Sequence, residues 1–332
     1  MTKPTTENKD AMPVGLVKTR KQPKPMDIER RRKQEKRAAL IRRCIPLYLM
    51  LIPGLVAMGL FHYGPIYGVQ IAFKDYRTSK GIWGSEWVAF KHFIRFFEYP
   101  YFGRLLWNTI WISFVDLCFF PIPIIFAIML NEMRSLKLRK TCQMITYAPH
   151  FVSTVVVCSM IHLFAGTGGL FQNIVELLGG EYTNILSVPE WFPMVMAVSS
   201  EWRGLGWDTI IYMAALAGIS GELVEAAKID GASRLQIIKN VCLPHLKPTI
   251  VTLLILRIGS IMSLGFDKAW LLQNPLNIEG SSIIATYTYQ VGMLDGQMSY
   301  SAAIGLFNNI INIILVTLAN KASKKLTETS LW

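Results

Sequence analysis

The sequence predicts an all-α integral membrane protein with six membrane-spanning helices, and three observations carry that prediction. The chain has 332 residues, 52% of them hydrophobic, with a mean hydropathy of +0.35, which is high for a soluble enzyme. Apolar runs recur at lengths near the roughly 20 residues that cross a hydrocarbon core of about 30 Å. Lysine and arginine gather in alternate connections between those runs, the charge asymmetry that orients membrane helices.

Six runs qualify, at about 45–73, 105–131, 144–165, 190–218, 246–267 and 298–320. Pro46, Pro53 and Pro65 lie in or beside the first, so it is expected to bend or end early. Pro121 and Pro123 interrupt the second. Such breaks are tolerated where neighbouring helices satisfy the freed backbone groups, which favours a packed bundle over independent anchors.

The net charge of +12 is concentrated at one end. Residues 1–43 carry 14 Lys/Arg against 5 Asp/Glu. Directly ahead of an apolar span, a segment such as "ERRRKQEKR" reads as a basic cytoplasmic tail that sets topology and touches anionic lipid, not as a nucleic-acid arm. The 132–143 connection, the 219–247 region and Lys321, Lys324 and Lys325 are cationic as well. The 166–189 loop has no Lys or Arg, and the 268–297 loop only Lys268. Both termini are therefore expected in the cytoplasm. The 74–104 connection disagrees, with six cations; its Trp83, Trp87, Phe93, Phe96 and Phe97 suggest a helix lying on the membrane. The domain reading is tail 1–43, a six-span membrane body 44–325 with a special loop at 219–244, and a short C-terminus 326–332.

Some chemistries find no support. The cysteines, Cys44, Cys118, Cys142, Cys158 and Cys242, are scattered, and the histidines do not cluster, so neither a disulfide framework nor a metal site is expected. No phosphate-cradling G-x-x-x-x-G-K-[ST] loop occurs, so any ATP and its Mg belong to another subunit. A multi-span membrane enzyme would want paired carboxylates or a His–Asp pair near one interface, and no motif places such groups together. An ion-driven transporter working alone would show an internal repeat of broken helices.

The loop "EAAKIDGASRLQIIKNVCLP" (225–244) is unusually structured for a connection. Ser220 can cap a helix with Glu222 in its first turn. Gly231 can supply a left-handed stop. Ser233 and Gln236 have capping-box spacing, and Pro244 is expected to end the second helix and open the next span. Helix, glycine elbow, helix can serve as a capped surface loop or as a docking element.

The stretch resembles the EAA motif of permease subunits in binding-protein-dependent ABC importers, with Glu225, Ala226, Ala227, Asp230, Gly231, Ala232, Leu243 and Pro244 as the matching residues. "LIPGLVAMGLFHYGPIYGVQIAFKDY", "EWRGLGWDTIIYMAALAGIS" and "AAIGLFNNIINIILVTLANKAS" extend the likeness to the oligosaccharide branch, close to the LplB-like polysaccharide permeases. The resemblance implies a maltose-importer-like type I permease fold and a non-catalytic transport chain. It implies that Glu225, Ala226, Ala227, Asp230, Gly231 and Ala232 dock on a cytoplasmic ATPase. It also implies a second permease subunit and an extracytoplasmic solute-binding protein as partners.

Charges inside spans mark a pathway or a helix clamp. Glu201, Trp202 and Arg203 fall about ten residues into the fourth span, and Arg257 about eleven residues into the fifth, ~16 Å at 1.5 Å per residue. Trp202 could stack on a sugar ring; Ser260, Ser263, Asn308, Asn309 and Asn312 add hydroxyls and amides. Arg257 departs from the apolar residue the family leads one to expect. Unpaired, it favours an acidic uronate oligosaccharide such as alginate; paired with Asp116, it is structural and silent about the solute.

Overall fold

The computed structural model describes residues 25–263 and 265–327; residues 1–24, Leu264, residues 328–332 and the side chains of Ser263 and of residues 25–40, 42, 326 and 327 lie outside that description. Contacts divide the chain into two units, 1–67 and 68–332.

The first unit is dominated by α1, Pro25–Met58. It runs through Pro46 and Pro53 and changes to a π-turn only at Gly59–Tyr63, beyond which the chain tightens to a 3-10 helix at Gly64–Phe73. No early ending occurs: the chain stays helical past Pro46, Pro53 and Pro65, changing its winding at Gly59 and Gly64.

The second unit opens with a two-residue strand pair, β1 (Lys74–Asp75) against β2 (Glu86–Trp87), followed by α2 (Lys91–Phe97). Phe73 stacks on Trp87, and Lys74 Nζ donates to the Ile82 carbonyl. Burial lowers the His92 imidazole below its ordinary pKa. Its Nε2 faces the Lys74 carbonyl at 3.1 Å, so that nitrogen is the donor. The helix expected in this segment is present at Lys91–Phe97, joined to a small strand pair. Trp83 is exposed, while Phe96 is fully buried among Phe102, Tyr300 and Phe307.

The long helices follow. α3 (Phe102–Cys118) and α4 (Pro121–Glu132) form one apolar stretch broken where Pro121 begins a new helix, as its ring dictates. α5 (Leu136–Tyr147) precedes α6 (Thr154–Ala165) and α7 (Leu170–Leu177). The third span thus begins at Thr154 and not at 144. Pro149 sits in a 3-10 turn, and Ser153 caps a fresh helix by accepting from the Val156 amide. α8 (Phe192–Ala217) has 26 residues, about 39 Å at 1.5 Å each. α9 (Gly221–Ile229) leaves it at 72°. α10 is continuous over Arg234–Gly259, α11 is Phe266–Leu272, α12 is Ile284–Tyr289 and α13 is Met298–Thr327. Among the described residues five helices are long and apolar enough to cross a membrane, or six if the α8–α9 pair is one bent span.

Two expected boundaries shift for identifiable reasons. Pro244 does not separate the loop from the span. A π-turn at Ile238–Cys242, with the Leu243 amide bonded to the Ile238 carbonyl, carries the helix past it. The fifth span ends at Gly259 and not at 267. The backbone that leaves it is satisfied by neighbouring helices. Ser113 donates to the Ile261 carbonyl, Asn312 Oδ1 accepts from the Met262 amide, and Asn308 donates to the Met262 carbonyl. Non-helical backbone is tolerated inside a bundle only with such partners.

Packing falls into three apolar clusters. One joins Ile124, Leu130, Tyr212, Leu216 and Leu246; a second joins Phe96, Leu105, Met262, Tyr300 and Ile304; a third joins Ile112, Cys158, Phe192, Met196, Leu272 and Ile283. α8 packs against α3, α4, α5 and α10. Its approach to α5 depends on Gly206, where a Cβ would collide with the Thr146 carbonyl.

Candidate functional site: a charged cavity and an exposed elbow

Ser200, Glu201, Gly204, Asp208, Ile211 and Tyr212 of α8 line three adjoining cavities of about 270, 340 and 390 Å³. Glu201 and Asp208 are seven residues apart, two turns, so one face carries both carboxylates. Three more charges converge from elsewhere in the second unit: Asp116 near the end of α3, Arg257 in the last turn of α10, and Lys268 in the first turn of α11. Asp208 and Lys268 were not singled out from the sequence. The seven-residue spacing would have found the first, and the isolation of a single cation in the 268–297 loop was the signal for the second.

Arg257 is paired. Its Nη2 lies 2.6 Å from Asp116 Oδ2 and its Nη1 3.8 Å from Asp208 Oδ2, with Asp116 almost fully enclosed. One guanidinium thus ties α3, α10 and α8 together. The depth argument for Arg257 is corrected as well, since the helix ends two residues later. Ser260 lines two of the cavities, but its hydroxyl donates to the Arg257 carbonyl and serves the helix end.

Arg203 and Lys268 are held differently. Arg203 Nη1 donates to Thr154 at 2.9 Å, and its buried Nε has no protein partner. Lys268 Nζ donates to the Met196 carbonyl at 2.7 Å, to Ser199 at 3.1 Å and to Ser200. All three acceptors are neutral. Glu201 also has a buried oxygen, Oε1, with no protein partner. No Glu201–Arg203 ion pair forms. Trp202 is about half exposed and Asn309 is exposed, and neither lines these three cavities.

At the elbow, Gly231 adopts φ +78°. The Ala232 amide bonds to the Ala227 carbonyl, and the Gly231 amide to the Lys228 carbonyl, the two bonds of a Schellman stop. Ser233 and Gln236 form the reciprocal capping box. Ser220 occupies the N-cap of α9, but its side chain makes no capping bond. Glu225, Ala226, Asp230 and Gly231 are exposed, whereas Ala227 and Ala232 turn inward against the Leu130–Leu246 cluster. Beside the outward residues, Ile229 is 86% and Leu235 78% exposed.

The profile of the family described as the binding-protein-dependent transport system inner membrane component matches residues 120–328, which include the elbow and all of α8. The chain belongs to that family. This permease is 44% identical over 305 residues, 90% of its own length and 95% of the relative's, to the polygalacturonan/rhamnogalacturonan transport system permease protein YteP of Bacillus subtilis (strain 168). It is 43% identical over 296 residues to the protein LplB of the same organism, covering 89% of this chain and 93% of the relative. A solved chain of a bacterial alginate ABC transporter, in complex with an alginate pentasaccharide-bound periplasmic protein, superposes with a TM-score of 0.80 at 36% identity. The match covers 88% of this permease and 98% of that chain. The expected all-α type I permease fold, with five or six apolar helices, and the expected role, a permease subunit of an oligosaccharide ABC importer, are therefore borne out.

Proposed function

We propose that this permease supplies half of the membrane pathway of an ATP-driven importer for acidic oligosaccharides. A second permease subunit supplies the other half. ATP, with its Mg, is hydrolysed on separate subunits that dock on the 219–244 elbow, and an extracytoplasmic solute-binding protein delivers the sugar. Both termini and the elbow lie in the cytoplasm. The observation that carries the acidic-solute reading is the high coverage of two permeases named for polygalacturonan and alginate. Arg257 no longer contributes, because Asp116 neutralises it. The three cavities on α8 are the pathway, with Glu201, Arg203, Arg257 and Ser260 on their walls.

The test is ATP-dependent uptake into proteoliposomes holding both permeases and the ATPase, with the binding protein added outside. Galacturonate and mannuronate trimers are compared with maltotriose. At least one uronate trimer is expected to enter about tenfold faster than maltotriose, a discrimination that polar recognition readily supplies. Equal uptake of maltotriose would overturn the acidic reading.

Orientation has its own expected result. In a cysteine-free background, cysteines at Leu178 and Leu276, both exposed, should react with an impermeant thiol reagent applied outside; cysteines at Leu136 and Leu235 should not. Inverse labelling would reverse the topology drawn from the Lys/Arg distribution.

A further inference from the structure

Resting on the acidic-solute reading, we propose that Lys268 and Arg203 form the subsite that receives a solute carboxylate, and that Arg257 does not. Both line one cavity of about 340 Å³, within the 300–1,000 Å³ typical of small-molecule sites.

The two kinds of cation differ in what already holds them. Arg257 spends its charge on Asp116 and Asp208, so an incoming anion would have to break that clamp. Among the described residues, no carboxylate lies within ion-pair distance of Lys268 or Arg203. Lys268 is held by a carbonyl and two serine hydroxyls, and Arg203 by one threonine hydroxyl. The Ser199 hydroxyl spends its own hydrogen on the Val195 carbonyl, so toward Lys268 it acts only as an acceptor, which a carboxylate oxygen can replace. The exchange of a neutral acceptor for a charged one strengthens the bond. The buried Arg203 Nε has a donor still to place.

The acids lining the same cavity do not cancel this. Asp208 faces Arg257, and Asp267 is exposed. His150, the remaining titratable group on that wall, is stacked flat on Trp207 at 4.3 Å. Two partly buried cations, with Asp116, Glu201 and Asp208 in the adjoining cavity but no carboxylate within ion-pair distance among the described residues, leave a site that favours an anion and leaves a neutral sugar poorly matched.

The experiment compares uptake of a galacturonate trimer with that of its carboxyl-reduced galactose trimer. It uses the complete reconstituted importer, with each sugar saturating the binding protein. Lys268→Gln keeps a hydrogen-bond donor and removes the charge, Lys268→Arg keeps the charge, and Arg203→Gln removes the second cation of the same cavity. Lys268→Gln and Arg203→Gln should each reduce the acid-to-neutral uptake ratio about tenfold, the scale of one charge-assisted hydrogen bond, while Lys268→Arg restores most of it. If Lys268→Gln fails to assemble, Arg203→Gln alone decides the question. Equal losses for both sugars would make these residues purely structural and overturn the subsite. A wild-type ratio near one would overturn the acidic-solute reading itself. A wild-type preference that survives in both charge-removal variants would overturn only the subsite.

Discussion

Gly231→Pro is expected to abolish solute-stimulated ATP hydrolysis while the complex still assembles. Gly231 holds φ +78°, and its amide bonds to the Lys228 carbonyl. Proline is locked near −65° and has no amide hydrogen, so it can satisfy neither requirement. The Schellman stop then opens, and α9 can no longer present Glu225, Ala226 and Ile229 in fixed relation to the capped start of α10. The spans are not touched, because Gly231 is exposed and a Cβ there meets nothing within 4 Å. Coupling between sites is commonly worth about 1–3 kcal/mol, or 5–150-fold, so loss of docking should remove most or all of the stimulation. Gly231→Ala provides a graded comparison, since left-handed backbone costs a non-glycine residue roughly 1–2 kcal/mol and leaves the amide in place. The measurement is ATPase rate with and without loaded binding protein, alongside size-exclusion of the solubilised complex. Normal stimulation in Gly231→Pro would show that the elbow is not the coupling element.

The Asp116–Arg257 pair should behave as a helix clamp, with an asymmetry that its third member predicts. Arg257→Leu strands both Asp116 and Asp208 without a counter-ion. Removing one partner of a buried ion pair costs about 3–5 kcal/mol, and with Arg257 32% exposed the loss should fall toward or below the low end of that range, still enough to impair assembly. Asp116→Leu leaves Arg257 with Asp208 at 3.8 Å and should be milder. The double variant should recover much of the loss of Arg257→Leu, because apolar replacement of both members is often close to neutral. Thermal stability of the solubilised complex across the four proteins gives the coupling energy. If the double variant equals the sum of the singles to within about 0.5 kcal/mol, the residues are independent and the clamp is wrong.

What was legible from the sequence was local. The positions of the apolar runs, the break at Pro121, the Gly231 stop and the Ser233–Gln236 capping box all depend on residues a few places apart. Hydrophobic periodicity and end-capping are written between such neighbours, so they can be read without knowing the fold. Even there the tertiary setting moved boundaries. A π-turn carried α10 past Pro244, and Ser113, Asn308 and Asn312 allowed the fifth span to stop at Gly259.

The charged cavity belongs to the tertiary structure. Asp116 and Arg257 are 141 residues apart, and Lys268 meets Met196, Ser199 and Ser200 from about 70 residues away. Sequence named Asp116 as the partner that would make Arg257 structural but could not say whether the two side chains meet. Packing brings them to 2.6 Å and so decides between solute contact and clamp in favour of the clamp. The same packing left Trp202 outside the three cavities and brought Lys268 into two of them. The role of a charge in a low-dielectric interior is set by what lies within a few ångströms of it, and for residues on different helices only the packing of those helices decides that distance.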